Sequence, residues 1–389
     1  MRPKRPSPRV RRLLAAAVFI VTAAVFTGCQ TVGYYAQAVR GQCQVLARQR
    51  SCEKLLADPA TDAELKTKLQ LAAQICDFAR RELKLPVHGH YRHYADLGRP
   101  YAVWNVCAAP EFSLEPKTWW YPIVGSLDYR GFFSEREARR YAALLGGRGF
   151  DVSVEGVEAY STLGWFKDPL LNTFIHHDEA ALAEILFHEL AHQRVFASGD
   201  TDFNEAFATA AGEEGVRRWL RVKSDPATLA QYLASLRRNR EFVQLINATR
   251  DKLEILYGDE RTSAGKIKAK KNPRNLSPAQ LHREKQRLLD ELGRDYEKAK
   301  ADWGGYAGYD AWFAQGANNA RLNSVATYYD LVPAFERLMQ ANGGDLEKFY
   351  AAVKKLAKLP KAERLRRLKQ NDAVARYFFS NFNDAELMQ

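Results

Sequence analysis

Two histidines four residues apart, with a glutamate directly after the first, limit this chain more than any other feature: Glu184-Ile-Leu-Phe-His188-Glu189-Leu-Ala-His192-Gln193. On an α-helix a four-residue step puts both imidazoles on one face. Ile185, Leu186, Phe187, Leu190 and Ala191 surround them, so the charged triplet is expected in a mostly buried helix. A buried glutamate between two histidines is costly without a partner, and a metal ion supplies one. Two neutral imidazoles so placed can hold one Zn²⁺, with Glu189 in reach of a water on the ion.

Such a site needs a third ligand. The first helix is expected to run to about Phe196, to turn at Ser198-Gly199-Asp200, and to restart with Thr201 or Asp202 as N-cap. At 1.5 Å of rise per residue, His192 lies roughly 6 Å before the turn and Glu205 about as far beyond it. Glu213 and Glu214 are about 12 Å further and overshoot both histidines. Glu205 is therefore the expected third ligand, its competing role being an N3 cap of the second helix. Asn204 flanks it, and Thr209 lies one turn on. Structural zinc usually takes four protein ligands, so three ligands beside a glutamate point to catalysis. Glu189 is then the general base that passes a proton to a leaving amine. Tyr328 is the expected donor to a developing oxyanion, with Tyr329 and Tyr160 as alternatives.

The rest of the chain sets the frame. The 389 residues are 46% hydrophobic, which excludes a disordered or collagenous chain. The formal charge of +12 invites a nucleic-acid reading. However, residues 1–28 hold six bases and no acid, and removing them leaves only +6. No basic patch interleaved with aromatics remains, so no nucleic-acid partner is expected. Arg and Lys at positions 2–12, the apolar run Leu13–Phe26 and Thr27-Gly28-Cys29 have the layout of an export signal, short for a membrane span, the alternative being an uncleaved N-terminal anchor helix. Outside the cytoplasm Cys43, Cys52, Cys76 and Cys107 would form two disulfides in one of three pairings, or remain buried thiols.

The expected fold is α+β and mostly helical: a small mixed sheet, then the zinc-binding helix pair, then a helical C-terminal part. The divisions read are 1–28 (signal), 29–85 (helical), 86–222 (sheet and helix pair, with a helix over Ser134–Leu145) and 223–389 (helical). A basic loop near 259–277 holds Lys266, Lys268, Lys270, Lys271 and Arg274 and reads as solvated. The segment Tyr160–Pro169 is expected to line a substrate cleft, which makes Tyr160 and Gly164 substrate contacts. Arg321, with Asn318 and Asn319, is a further candidate for holding a substrate terminus. His88, His90 and His93 read as a strand or loop, and His176 and His177 as loop residues.

Several stretches carry resemblances. The N-terminal segment resembles a bacterial lipoprotein signal in which Cys29 is lipidated, and Gln30 after it implies the outer membrane rather than the inner. His188-Glu-Leu-Ala-His192-Gln followed by Asn204-Glu205-Ala-Phe-Ala is similar to the gluzincin metallopeptidases, in which a glutamate on the next helix completes the zinc site. With Trp104–Lys117 and Tyr160–Pro169, nearly all of the mature chain resembles a bacterial family labelled predicted aminopeptidase. The exopeptidase signature Gly-x-Met-Glu-Asn is absent. The resemblance implies a gluzincin-like fold with one zinc, held by His188, His192 and Glu205. It implies a peptide substrate and a lipid anchor in the envelope, facing the periplasm. The alternative is a non-catalytic envelope lipoprotein with a structural or inert metal site.

Overall fold

The computed structural model describes residues 31–121, 124–162, 166–262, 267–268 and 275–369. Cys29, Gly164, Lys266, Lys270, Lys271 and Arg274 lie outside them.

The N-terminal third is helical, as its three- and four-residue apolar steps require. Helix α1 (31–47) leads through strand β1 (Gln49–Ser51) into α2 (Cys52–Ala57) and α3 (Ala63–Arg81). Asp62 caps α3 by accepting from the Glu64 and Leu65 amides. Leu69, Ala72, Ile75, Cys76 and Ala79 form its buried stripe.

The strands that follow form several small sheets. They are β2 (His93–Ala95), β3 (Val103–Pro110), β4 (Trp119–Tyr121), β5 (Gly125–Leu127) and β6 (Tyr129–Phe132), then, after helix α4 (Glu135–Gly146), β7 (Phe150–Val157) and β8 (Leu170–Leu171). A mixed sheet runs β1-β2-β8, with β2 and β8 parallel. An antiparallel sheet runs β6-β3-β7, and β4-β5 is a hairpin. Side chains alternate across the β6-β3-β7 sheet. Trp104, Val106, Ala108 and Phe132 pack with Ala138 and Leu145 of α4. Asn105, Cys107, Tyr129 and Glu155 face the other way, into a large cleft. Ser134 caps α4 by accepting from the Glu137 amide, as its sequence position implies.

Helices make up the remainder: α5 (Glu179–Arg194), α6 (Thr201–Val222), α7 (Pro226–Tyr257), α8 (Pro278–Asp302), α9 (Asp310–Ala314), α10 (Asn319–Tyr329), α11 (Val332–Ala341), α12 (Leu346–Ala357) and α13 (361–369). Between α7 and α8, where a solvated loop was expected, strands β9 (Glu260–Arg261) and β10 (Ile267–Lys268) pair. Ile267 is buried there among α7 and α8 residues. The largest core joins α3, α5, α6, α11 and α12 through Phe78, Phe187, Phe203, Phe207, Phe335 and Phe349.

The four described cysteines are free thiols on four different elements, α1, α2, α3 and β3, so the disulfide alternative is not realised. Burial pushes Cys52 up to about 11 and Cys76 up to about 12, which suits packing rather than nucleophilic chemistry.

Candidate metal centre and substrate cleft

The centre is built on α5 and α6. Asp178 starts α5 by accepting from the Ala181 amide. Leu182, Ala183, Leu186, Phe187, Leu190 and Ala191 are fully buried, which fixes the rotation of the helix and turns His188 and His192 to its open side. Helix α6 comes very close, because its Ala206-Phe-Ala-Thr-Ala-Ala-Gly212 run offers small side chains. At Gly215 an added Cβ would lie 2.6 Å from the Phe187 ring and 2.8 Å from Leu83, so only glycine admits this approach.

The turn between the helices differs from its sequence reading. Helix α5 ends at Arg194, and Asp200, not Thr201 or Asp202, occupies the N-cap of α6. Asp200 makes no side-chain cap bond, because its carboxylate pairs with Arg364 and, at 2.9 Å, with Lys361 of α13. Asp202 also pairs with Lys361. The turn is held instead by Asn204, whose side chain accepts from the Ala197 amide at 2.7 Å and donates to the Ala197 carbonyl at 2.9 Å. Outside the turn, the Gly199 amide donates to the Val124 carbonyl at 2.9 Å. Gly125, at φ 80°, packs so closely that a Cβ would sit 2.8 Å from the Gly199 nitrogen. The β4-β5 hairpin thus braces the loop that carries Glu205 into place.

The result is a tight convergence. His188 Nε2 and His192 Nε2 are 3.1 Å apart, and Glu205 Oε2 lies 3.3 Å from the first and 3.5 Å from the second. Among the described residues these three form the only His, Cys, Asp or Glu group with ligand atoms drawn together in this way, all within 4.8 Å. Burial by itself raises the Glu205 carboxyl, but His192 and His188 override it and hold the group well below the usual carboxylate range. Glu189 differs. Burial pushes it up to about 7, with His188 pulling down and Glu205 and Asp168 pushing further up. Glu205 is thus poised as an anion and Glu189 as a group that exchanges its proton near neutrality.

The other expected residues fall in several places. Tyr328 on α10 lines the cleft, its ring stacked against His188 at 6.4 Å between centroids. The charge of Glu205, then burial, keeps its phenol protonated far above the ordinary range. Tyr329 turns towards Glu184, Glu213 and Asn239. Tyr160 lines the cleft wall, but its hydroxyl donates to Gln42 Oε1 at 2.7 Å. Arg321 is not brought to the centre: its guanidinium donates to Gln315 and lies over the Trp312 ring. Asn318 caps α10, and Asn319 donates to the Pro110, Glu111 and Ser113 carbonyls, so both bind the chain to itself. His90 is buried, its Nδ1 accepting from the Asp168 amide at 3.0 Å. His176 and His177 pair with Glu64 and Glu158.

One cleft residue was not anticipated. Tyr129 on β6 faces the centre, and burial together with the charges of Glu205 and Glu189 raises its phenol far above the ordinary range. Nothing near Tyr129 in the sequence marks it. Only the sheet register, which turns Tyr129 to the cleft and Phe132 to α4, places it there.

The centre lies on the floor of a cleft of ≈ 2710 Å³, walled by α1, the β6-β3-β7 sheet, α10 and α13. Small-molecule sites run to about 300–1,000 Å³, so this one has the room of a polymer-binding groove. A family model described as "Putative aminopeptidase" matches residues 33–368, and the chain belongs to that family. No curated protein and no solved structure matches it.

Proposed function

We propose that this chain is a zinc-dependent metallopeptidase of the gluzincin type, acting as an aminopeptidase at the bacterial envelope. The convergence of His188 Nε2, His192 Nε2 and Glu205 Oε2 on one point, with Glu189 beside it, carries the reading. The donor set fits the ion: two imidazoles and one carboxylate are a catalytic zinc complement, with a coordination position left for chemistry. Two histidine nitrogens that face each other at 3.1 Å also fit a shared cation better than a hydrogen bond between them.

When bound, zinc acidifies a water and polarises the scissile carbonyl. The chain's own groups do the rest. Glu189 accepts a proton and returns it to the leaving amine, a task that suits a carboxyl pushed up to about 7. Tyr328, kept protonated beside Glu205, donates to the oxygen on which charge develops. The sheet and α1 shut one side of the groove, so the substrate lies along the floor over α5.

The envelope assignment rests on residues 1–28 as a cleaved signal and Cys29 as the lipid-bearing residue, and Gln30 after it supports the outer membrane, facing the periplasm. Among the described residues no helix is long and apolar enough to cross a membrane. Glu189→Gln in the full chain is the test of catalysis. Peptide hydrolysis should fall about 10²–10⁴-fold, while zinc content stays at the wild-type level. Undiminished hydrolysis with zinc retained would sink the mechanism, and an inactive wild type with zinc bound would favour a structural site.

A further inference from the structure

Helix α1 has two faces, and the peptidase reading uses only one. Its inner side is locked. Gln37 Oε1 accepts from the Phe133 amide at 3.0 Å, Gly41 lies beneath the Phe133 ring with no room for a side chain, and Val45 is fully buried. The Arg130 guanidinium stacks on the Tyr34 ring, 3.8 Å from its centroid. Tyr34, Tyr35, Ala38 and Gln42 line the cleft, so Tyr35 belongs to its rim as well as to the outer side of the helix. A helix held this way cannot roll, so its outer side is a fixed surface.

That outer side is apolar. Val32 is 69% exposed, Tyr35 41% and Val39 63%, and Cys43 is exposed one turn further on. Steps of three and four put them in one stripe. Monomeric proteins scatter exposed apolar residues singly, whereas a continuous stripe marks a partner.

The sequence around the stripe shows what the partner is. The first acidic residue of the chain is Glu53. Between Cys29 and Cys52 the only charged residues are Arg40, Arg48 and Arg50. Arg50 pairs with Asp58, while Arg40 stands exposed beside the stripe. An amphipathic helix with valine and tyrosine on its free face, arginine at its side and no acid suits the headgroup layer of an anionic bilayer. The described part of the helix begins at residue 31, two residues after Cys29 in the sequence.

We infer that the outer face of α1 docks on an anionic lipid surface. The inference rests on the lipid-anchor reading of Cys29 given above. An anchor alone tethers a domain and leaves it free to tumble, whereas a second contact sets its orientation. Because the inner side of α1 is a wall of the cleft, docking holds that wall against the membrane and aligns the groove along it.

The test uses the full chain reconstituted into phosphatidylethanolamine–phosphatidylglycerol vesicles, with the fluorophore NBD on exposed Cys43 and a Cys43→Ser chain as labelling blank. Doxyl groups in the acyl region should quench the label in the wild type. Quenching should be lost in the Val32→Ser/Tyr35→Ser/Val39→Ser variant and reduced in Arg40→Glu, with thermal unfolding unchanged in both. A label open to aqueous iodide and untouched by doxyl lipid overturns the inference, as does a triple variant that behaves like wild type. Protection that rises with protein concentration and not with lipid assigns the stripe to a second copy and also overturns it. Cys29→Ser separates the two readings. Equal retention of variant and wild type in washed membranes overturns the anchor, while the quenching result still reports on α1 by itself.

Discussion

In the α5–α6 pair, His188, Glu189, His192 and Glu205 come from one stretch of sequence, and two tightly packed helices hold them. In the wall opposite, Tyr34, Tyr129, Glu155, Tyr160 and Tyr328 come from five separate segments. The floor owes its precision to buried Phe187, Ala206 and Gly215, so its geometry and the stability of the domain are the same thing. The wall owes its shape to hydrogen bonds and ring contacts at the cleft surface, such as Tyr160 on Gln42 and Ser324 on Glu155. Changes in the floor should therefore cost metal or fold, and changes in the wall should cost turnover with the fold intact.

Glu205→Ala is the severest break. It removes the one anionic ligand, so zinc measured on the purified chain should be lost along with peptide hydrolysis; a variant that keeps its zinc would place the site elsewhere. Phe187→Ala tests the link between floor and fold. The ring is fully buried between Phe78 and Gly215, and its removal should cost about 3–5 kcal/mol in denaturant unfolding.

On the wall, Tyr328→Phe should lower kcat about 10²–10³-fold with zinc content and Tm unchanged. Tyr160→Phe should leave kcat near wild type, because that hydroxyl is already committed to Gln42. Equal effects of the two would dissolve the distinction between them. Asn204→Ala returns to the floor. It strands the buried amide of Ala197, whose carbonyl keeps the Asp200 amide, and should cost about 1–3 kcal/mol of stability, with weaker zinc retention in the presence of a chelator.

The smallest effect is a pH dependence on the far side of α6. Burial pushes Glu213 up to about 7, against the pull of Arg217 and with Glu184 and Glu336 adding to the rise. The folded chain therefore holds a proton there that the unfolded chain gives up near 4.5. The stabilisation is fully present below about pH 4.5 and is lost as pH rises through about 7. Glu213→Gln should flatten that fall in Tm across the window; an unchanged slope would mean that the group ionises freely in the fold.

The contrast also explains what could be read in advance. Helix spacing is a local rule, so His188, Glu189 and His192 could be placed on one face, and Glu205 across a short turn, from residue numbers alone. The predominance of helix and the cap at Ser134 follow from equally local chemistry. Tyr129 could not be read, because it reaches the cleft only through the register of β6 on β3. Arg321 looked available as a free cation, but α10 packs so that Trp312 and Gln315 take its guanidinium. The cap of α6 fell to Asp200 because Arg364 and Lys361, far along the chain, claim its carboxylate. The misses at Tyr129 and Asp200 are long-range contacts, which sequence spacing does not encode, while Arg321 is taken by nearby residues whose arrangement depends on how the chain turns between α9 and α10.

The central claim is that His188, His192 and Glu205 hold one metal ion. The most direct measurement is the metal content of the freshly purified full chain, wild type beside His192→Ala. The account predicts one zinc per wild-type chain and none in the variant. Folded wild-type protein without zinc, or a variant that binds as much as wild type, would contradict it.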